Sequence, residues 1–208
     1  MTGAREEVLG RIGRALGAEP PPPPAVPRDY RQAGDVAPSV ELFCERVADY
    51  LATVTAVARA DLEQALADAC VARGSQRVIA APGVSWWITG VELTHDSPEL
   101  HPAELDSFDA ALTGCAVGIA ETGSIVLDGG PLSGRRALTL VPDHHLCVVR
   151  ADQIVASVPD AVAELAAAAR EGRPVTFVSG PSATSDIELE RVEGVHGPRK
   201  LDVLVVSA

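Results

Sequence analysis

Apolar residues recur along this chain at two spacings, and the switch between them marks out its elements. Val8, Leu9, Ile12 and Leu16 fall at helical intervals, which predicts an amphipathic helix over residues 4–17 ended by Gly17. Ser39 is a cap for a second helix reaching about Leu51, with Leu42, Phe43, Val47 and Tyr50 as its buried stripe. Val54–Ala58 reads as a short strand, Asp61 starts a helix through Arg73, and Gly74 stops it. "RVIAAPG", Arg77–Gly83, is the next strand. This strand–helix–strand order predicts a mostly parallel, Rossmann-like sheet flanked by crossover helices.

The second half is denser. Cys115–Ala120 reads as a buried strand of small residues, Glu121–Ser124 as a tight turn and Ile125–Asp128 as a strand. "ALTLV" and "LCVV" read as strands joined by a loop, Pro142-Asp143-His144-His145. Residues 151–170 should be mostly helical, with Pro159 starting the main helix, and Pro174–Val178 and Leu201–Val206 supply the last strands. "SWWITG" and "HDSPELHP" read as surface or cleft loops, so the role of Trp86-Trp87 stays open.

The Pro-rich run Glu19–Pro27 excludes helix and central strand and reads as a stiff, extended arm. The expected organisation is a helix and arm over 1–38 and an α/β domain over 39–208. The arm serves as a spacer or reaches across to a partner chain, which the apolar stripe of the first helix would motivate.

Composition narrows the function. An apolar content of 47% excludes general disorder, and 3% aromatics means a core of Ala, Val, Leu and Ile. A net charge of −12 disfavours nucleic acid and anionic membrane surfaces as partners, yet leaves room for a small anion held locally by backbone N–H groups. Cys44, Cys70, Cys115 and Cys147 are scattered, so neither an iron–sulfur cluster nor a structural zinc is expected in this chain. With a charged, helical amino terminus and no apolar run of about 20 residues, the expectation is a cytoplasmic protein without membrane insertion.

The chemistry concentrates in "VTFVSGPSATSDIELERVEGVHGP", Val175–Pro198. Ser185-Asp186-Ile187-Glu188 fits a capping box opening a helix from Asp186 to Glu193, with Gly194 as its stop. Capping accounts for Ser185 and Glu188 but leaves Ser179, Ser182 and Thr184 unexplained. Together with Gly180, whose missing Cβ would admit a ligand, they predict a cradle for a small anion or a nucleotide over Ser179–Ser185, at the carboxyl edge of a strand. His196 would lie at the far end of a helix about 12 Å long, as a turn residue first and an acid–base group second. Glu121, after a buried strand and followed by Thr122, Gly123 and Ser124, is a candidate nucleophile, acid–base group or plain turn acceptor. His144 and His145, with Asp143 as the one carboxylate beside them, give little support for a metal site and none is expected; His145 joins Glu121 and His196 as a catalytic candidate.

Five segments in order, "AETGSIVLD", "GRRALTLVPDHHLCVVR", "DQIVASVPDAV", "SGPSATSDIE" and "GVHGP", resemble the lactate-utilization protein C family of LUD-domain proteins. The resemblance implies a NagB/RpiA/CoA-transferase-like fold. It also implies a part in oxidising L-lactate to pyruvate, as the cluster-free accessory subunit beside partner proteins that carry iron–sulfur and redox chemistry. Glu121, Thr122, Gly123, His145, Ser179, Gly180, Pro181, Ser182, Thr184, Asp186, Glu188, His196, Gly197 and Pro198 fall on the family pattern. Two alternatives accompany this reading. One is a stand-alone CoA-transferase-like or isomerase-like enzyme using Glu121; the other is a ligand-sensing interaction module. A homo-oligomer is compatible with each.

Overall fold

The computed structural model describes residues 3–17, 22–30, 37–184, 192–194 and 196–207. Its contacts divide the chain into two units, Met1–Arg31 and Gln32–Ala208. In the first, α1 (Gly3–Leu16) forms as its apolar spacing predicts, and no residue of it is buried.

The second unit is built on a six-stranded, wholly parallel sheet. In chain order its strands are β1 (Thr53–Val57), β2 (Arg77–Ala80), β3 (Glu92–His95), β4 (Ala110–Gly114), β7 (His144–Arg150) and β12 (Lys200–Val206). Across the sheet they run β1-β12-β7-β4-β2-β3. A second sheet, order β8-β5-β6-β9, is formed by β5 (Val117–Ile119), β6 (Ser124–Leu127), β8 (Ile154–Val155) and β9 (Thr176–Val178). β10 (Ala183–Thr184) and β11 (Val192–Glu193) make a short antiparallel ladder. The helices are α2 (Val40–Asp49), α3 (Leu62–Arg73), α4 (Pro102–Leu105), α5 (Val158–Glu164) and α6 (Ala166–Arg170).

Strand alternation splits the core into layers. Leu146, Val148, Leu204 and Val206 pack with Leu66 and Cys70 of α3, while Cys147, Val149, Val203 and Val205 pack with Phe43 and Val47 of α2 and Ile125 of β6. Both faces of β7 and β12 are therefore covered, which is why their sequences are nearly unbroken apolar runs. Phe43, fully buried, contributes about 3 kcal/mol relative to exposure. The second sheet buries Val117, Ile119 and Val126 against Ala161 of α5. Caps follow the sequence: the Ser39 hydroxyl accepts from the Leu42 N–H at 3.1 Å. Gly74, at φ 71°, closes α3 with Gly74 N–H to Val71 O and Ser75 N–H to Cys70 O, a Schellman pair.

Three readings are corrected. "ALTLV" is not a strand: Arg136–Thr139 is a 3₁₀ turn, because the chain must double back between the two sheets. His144 and His145 are not loop residues; they open β7 and are 1% and 2% exposed. The predicted helix to Glu193 fails at that end, where Val192 pairs with Thr184 across a ladder. Its proposed cap residues, Ser185, Asp186 and Glu188, lie outside the described residues.

A buried polar network ties the amino edge of the sheet. His144 Nδ1 meets the Ser75 hydroxyl at 2.9 Å and its Nε2 meets Asp202 at 2.7 Å. Arg73 grips the same carboxylate with two bonds of 3.1 Å and donates to the Thr53 hydroxyl at 2.9 Å. The connectivity is that of a Ser–His–Asp triad, but Ser75 is 6% exposed and lines none of the described cavities, so the set acts as a clamp between α3, β1, β7 and β12. Burial alone would raise the Asp202 pKa; hydrogen bonds from His144 and Arg73 overcome it and hold the carboxyl well below the usual range.

Asp202→Asn should lower the unfolding free energy by about 3–5 kcal/mol, read from urea denaturation. A depressed folded pKa stabilises the fold above the unfolded value of about 4 and is lost as pH falls. Wild type should therefore weaken below about pH 4 more steeply than Asp202→Asn; equal slopes would remove the carboxylate from the account.

Candidate functional site

A cavity of about 290 Å³ opens beside the segment Ser179–Ala183. Its inner wall is His145 and Leu201, register partners near the amino ends of β7 and β12. Its outer wall is the loop after β9 and the turn His196–Pro198, and Arg136 and Thr139 complete it. Ser179 does follow the carboxyl end of a strand, as expected, but that strand belongs to the second sheet. Toward the main sheet the cavity faces the amino edge, a correction to the expected placement.

The two adjacent histidines explain how. Successive β residues point to opposite faces, so His144 enters the clamp with Asp202 while His145 turns toward the cavity. His145 Nε2 pairs with the Thr113 hydroxyl at 2.8 Å, and no described residue bonds its Nδ1. Burial, then electrostatic repulsion from the neighbouring His144 and Arg136, pushes its pKa down to about 3. At neutral pH it is an uncharged imidazole lining the cavity.

Arg136 supplies the charge. Its Nη1 donates to Thr139 O at 3.0 Å and to the Thr139 hydroxyl at 2.8 Å. Burial lowers its pKa from the usual arginine value, yet it remains a cation, and it has no carboxylate partner among the described residues. Its neighbour Arg135 is taken instead by Asp96, through two bonds of 2.8 Å. A half-buried guanidinium with no described carboxylate partner, beside hydroxyls and a neutral imidazole, is a receptor for an anion. The attraction comes from Arg136 rather than from helix N–H groups.

The predicted residues divide between the cavity and its surroundings. Ser179, Gly180, Pro181, Ser182, His145 and His196 line it. His196, expected at the far end of a helix, instead donates its backbone N–H to the Ser182 hydroxyl at 3.1 Å, because the β10–β11 ladder folds the two arms together. Ser182 N–H reaches Pro198 O at 2.8 Å across the same join. Thr184 enters through its backbone, in β10. Thr122 and Ser124 stand behind the wall in a hydroxyl chain, Thr122 to Ser124 at 2.8 Å and Ser124 to Ser179 at 2.6 Å. Glu121 is exposed, lines none of the described cavities, and its backbone N–H bonds Ala156 O at 3.0 Å.

Gly180 carries a different duty from the one expected, and Gly123 shares it. At Gly180, φ 93°, a Cβ would sit 2.7 Å from the Tyr50 Cβ, and at Gly123, φ 61°, it would sit 2.4 Å from the Arg46 backbone. Both are small to admit the α2 region, not a ligand. Arg136, Thr139 and Phe177 were not among the predicted site residues. The Arg135-Arg136 doublet was visible in the sequence, and asking which cation an anion cradle uses would have found it.

Among the described residues, no group of three His, Cys, Asp or Glu is placed to hold a metal ion, and no helix is long and apolar enough to cross a membrane. The LUD domain family matches residues 92–206. The chain is 49% identical over 209 residues to "Lactate utilization protein C" of Deinococcus radiodurans, covering 98% of this chain and 96% of that one. It is 26% identical to the "Lactate utilization protein C" of Shouchella clausii, over 98% and 97% of the two chains. A crystal structure of a DUF162 family protein from Deinococcus radiodurans superposes with a TM-score of 0.70 at 47% identity, covering 80% of this chain and 95% of that chain.

His145 stays neutral in the fold while an unfolded imidazole takes up a proton below about pH 6.5, so acidification through that window favours unfolding. His145→Gln should flatten the fall in melting temperature between about pH 6.5 and 5; an unchanged slope would mean that His145 is protonated in the native state. Gly123→Ala should cost about 2–4 kcal/mol by forcing α2 outward at a positive φ, measured as a lower denaturation midpoint.

Proposed function

Because the chain belongs to the LUD domain family, we propose that it serves lactate utilization as a cluster-free accessory subunit of an L-lactate oxidation system. The observation that carries this reading is the end-to-end likeness, 49% over 98% of the chain, to a protein named for lactate utilization. Iron–sulfur partner proteins would perform the redox steps, and this subunit would bind a small anion, of the carboxylate class that lactate and pyruvate share. Arg136 would hold the carboxylate. The Ser182 hydroxyl and His145 Nδ1, which no described residue bonds, are within the same cavity to meet its remaining oxygens.

His145 suits this role by being uncharged. A second cation beside Arg136 would bind any anion more tightly, whereas a neutral imidazole adds a directional bond that selects among anions. Apolar Leu201, Pro181 and Val178 line the remainder of the cavity and suit a short hydrocarbon body.

Deletion of the gene should abolish growth on L-lactate as sole carbon source, with growth on glucose unaffected. Wild type supplied in trans should restore it, and Arg136→Gln, expressed at the same level, should not. A deletion strain that grows normally on L-lactate sinks the accessory-subunit reading. Full restoration by Arg136→Gln leaves the subunit in place and removes the anion from it.

A further inference from the structure

The carboxyl edge of the main sheet is where open parallel sheets take their ligands, at the point where strand order reverses. Here the chain passes from β2 outward to β3 and returns to β4, so that point lies between β2 and β4. It is stoppered by the chain itself: Gly83 N–H bonds Pro131 O at 2.8 Å and Gly114 N–H bonds Leu132 O at 2.9 Å. A Cβ on Gly83 would lie 2.8 Å from that of Pro131. The open part of the edge is displaced, to the ends of β7 and β12, where a cavity of about 250 Å³ stands.

We infer that this second cavity is a nucleoside phosphate site, separate from the Arg136 pocket. Leu62, Val148 and Val206 give it an apolar floor, and the Trp86 indole forms a planar wall. That indole is held in place, since a Cβ at Gly114 would lie 3.4 Å from its ring. Two guanidiniums stand at the mouth. Arg150 is oriented by Asp152, Nε to Oδ1 at 2.9 Å. Arg59 has no hydrogen-bond or ion-pair partner among the described residues. Asp152 compensates Arg150, so the positive charge left over at this opening is that of Arg59, and in a chain of net charge −12 it marks the opening for an anionic group. The flat aromatic wall selects a ring to go with that anion, and the Ser207 hydroxyl on the lining offers an acceptor to a sugar hydroxyl. Trp86 thereby acquires a role that core packing alone does not give it.

AMP is the probe, titrated into the full chain by calorimetry and followed in parallel by tryptophan fluorescence; the chain's two tryptophans are Trp86 and Trp87. Saturable binding with quenching is expected, with adenosine and inorganic phosphate each binding more weakly than AMP. Arg59→Gln, which removes an exposed side chain and should melt as wild type does, is expected to weaken AMP at least tenfold, the scale of a lost charged hydrogen bond. The inference is overturned by no binding at millimolar AMP, by phosphate or adenosine binding as tightly as AMP, or by Arg59→Gln retaining wild-type affinity. It is overturned equally if Arg136→Gln, and not Arg59→Gln, abolishes AMP binding.

Discussion

The register between β7 and β12 governs the rest of the molecule, and one carboxylate helps to fix it. Asp202 is buried where no charge is tolerated without partners. It is satisfied only when His144 lies across the strand pair and Arg73 reaches over from the end of α3. A slip of one residue would turn His145 toward the Asp202 side and present His144 to the cavity. Asp202 would then lose its imidazole and Thr113 its partner. Apolar contacts between two nearly uniform Val and Leu runs discriminate poorly among registers; the polar set supplies the discrimination.

From that register the cavity follows. With His145 opposite Leu201, the inner wall is made by the two central strands and cannot shift without the sheet. Arg136 arrives by a separate route. Arg135 is committed to Asp96, and the 3₁₀ turn that begins at Arg136 carries the second guanidinium to the opposite side. One arginine of a doublet is used to hold the loop, so the other is left with charge to spare. This loop also fills the crevice between β2 and β4, so the same short segment closes the usual ligand position and equips another.

Local signals were read well where the physics is local. The helices α1, α2 and α3 announced themselves through caps, stops and 3.6-residue spacing, and β1, β2, β6 and β12 through short apolar runs. What the sequence hid depends on distant partners. His144 and His145 read as loop residues because two adjacent polar side chains do not look like a core strand, and their partners lie 58, 69 and 32 positions away. Ala110–Gly114 sets the single bulky Leu112 among smaller residues, with no alternation to detect. The S-x-x-E pattern at Ser185 is a sound helix signature, but the pairing of Val192 with Thr184 sets a different course at the far end. The small hydroxylic loop lines a cavity, while the cation of that cavity, Arg136, sits more than forty positions earlier and gives no local hint of its destination.

The two walls of the first cavity are not equally entrenched. The inner one belongs to strands buried on both faces; the outer one rests on a ladder of two residue pairs and a few backbone bonds around Ser182. Inheritance can therefore treat them differently. Substitutions in the outer arm leave the sheet's hydrogen bonds untouched, so the fold tolerates them and the guest can change, while the cation and the imidazole persist. Such a scaffold keeps one charge requirement across a lineage and lets the shape of the accepted molecule drift.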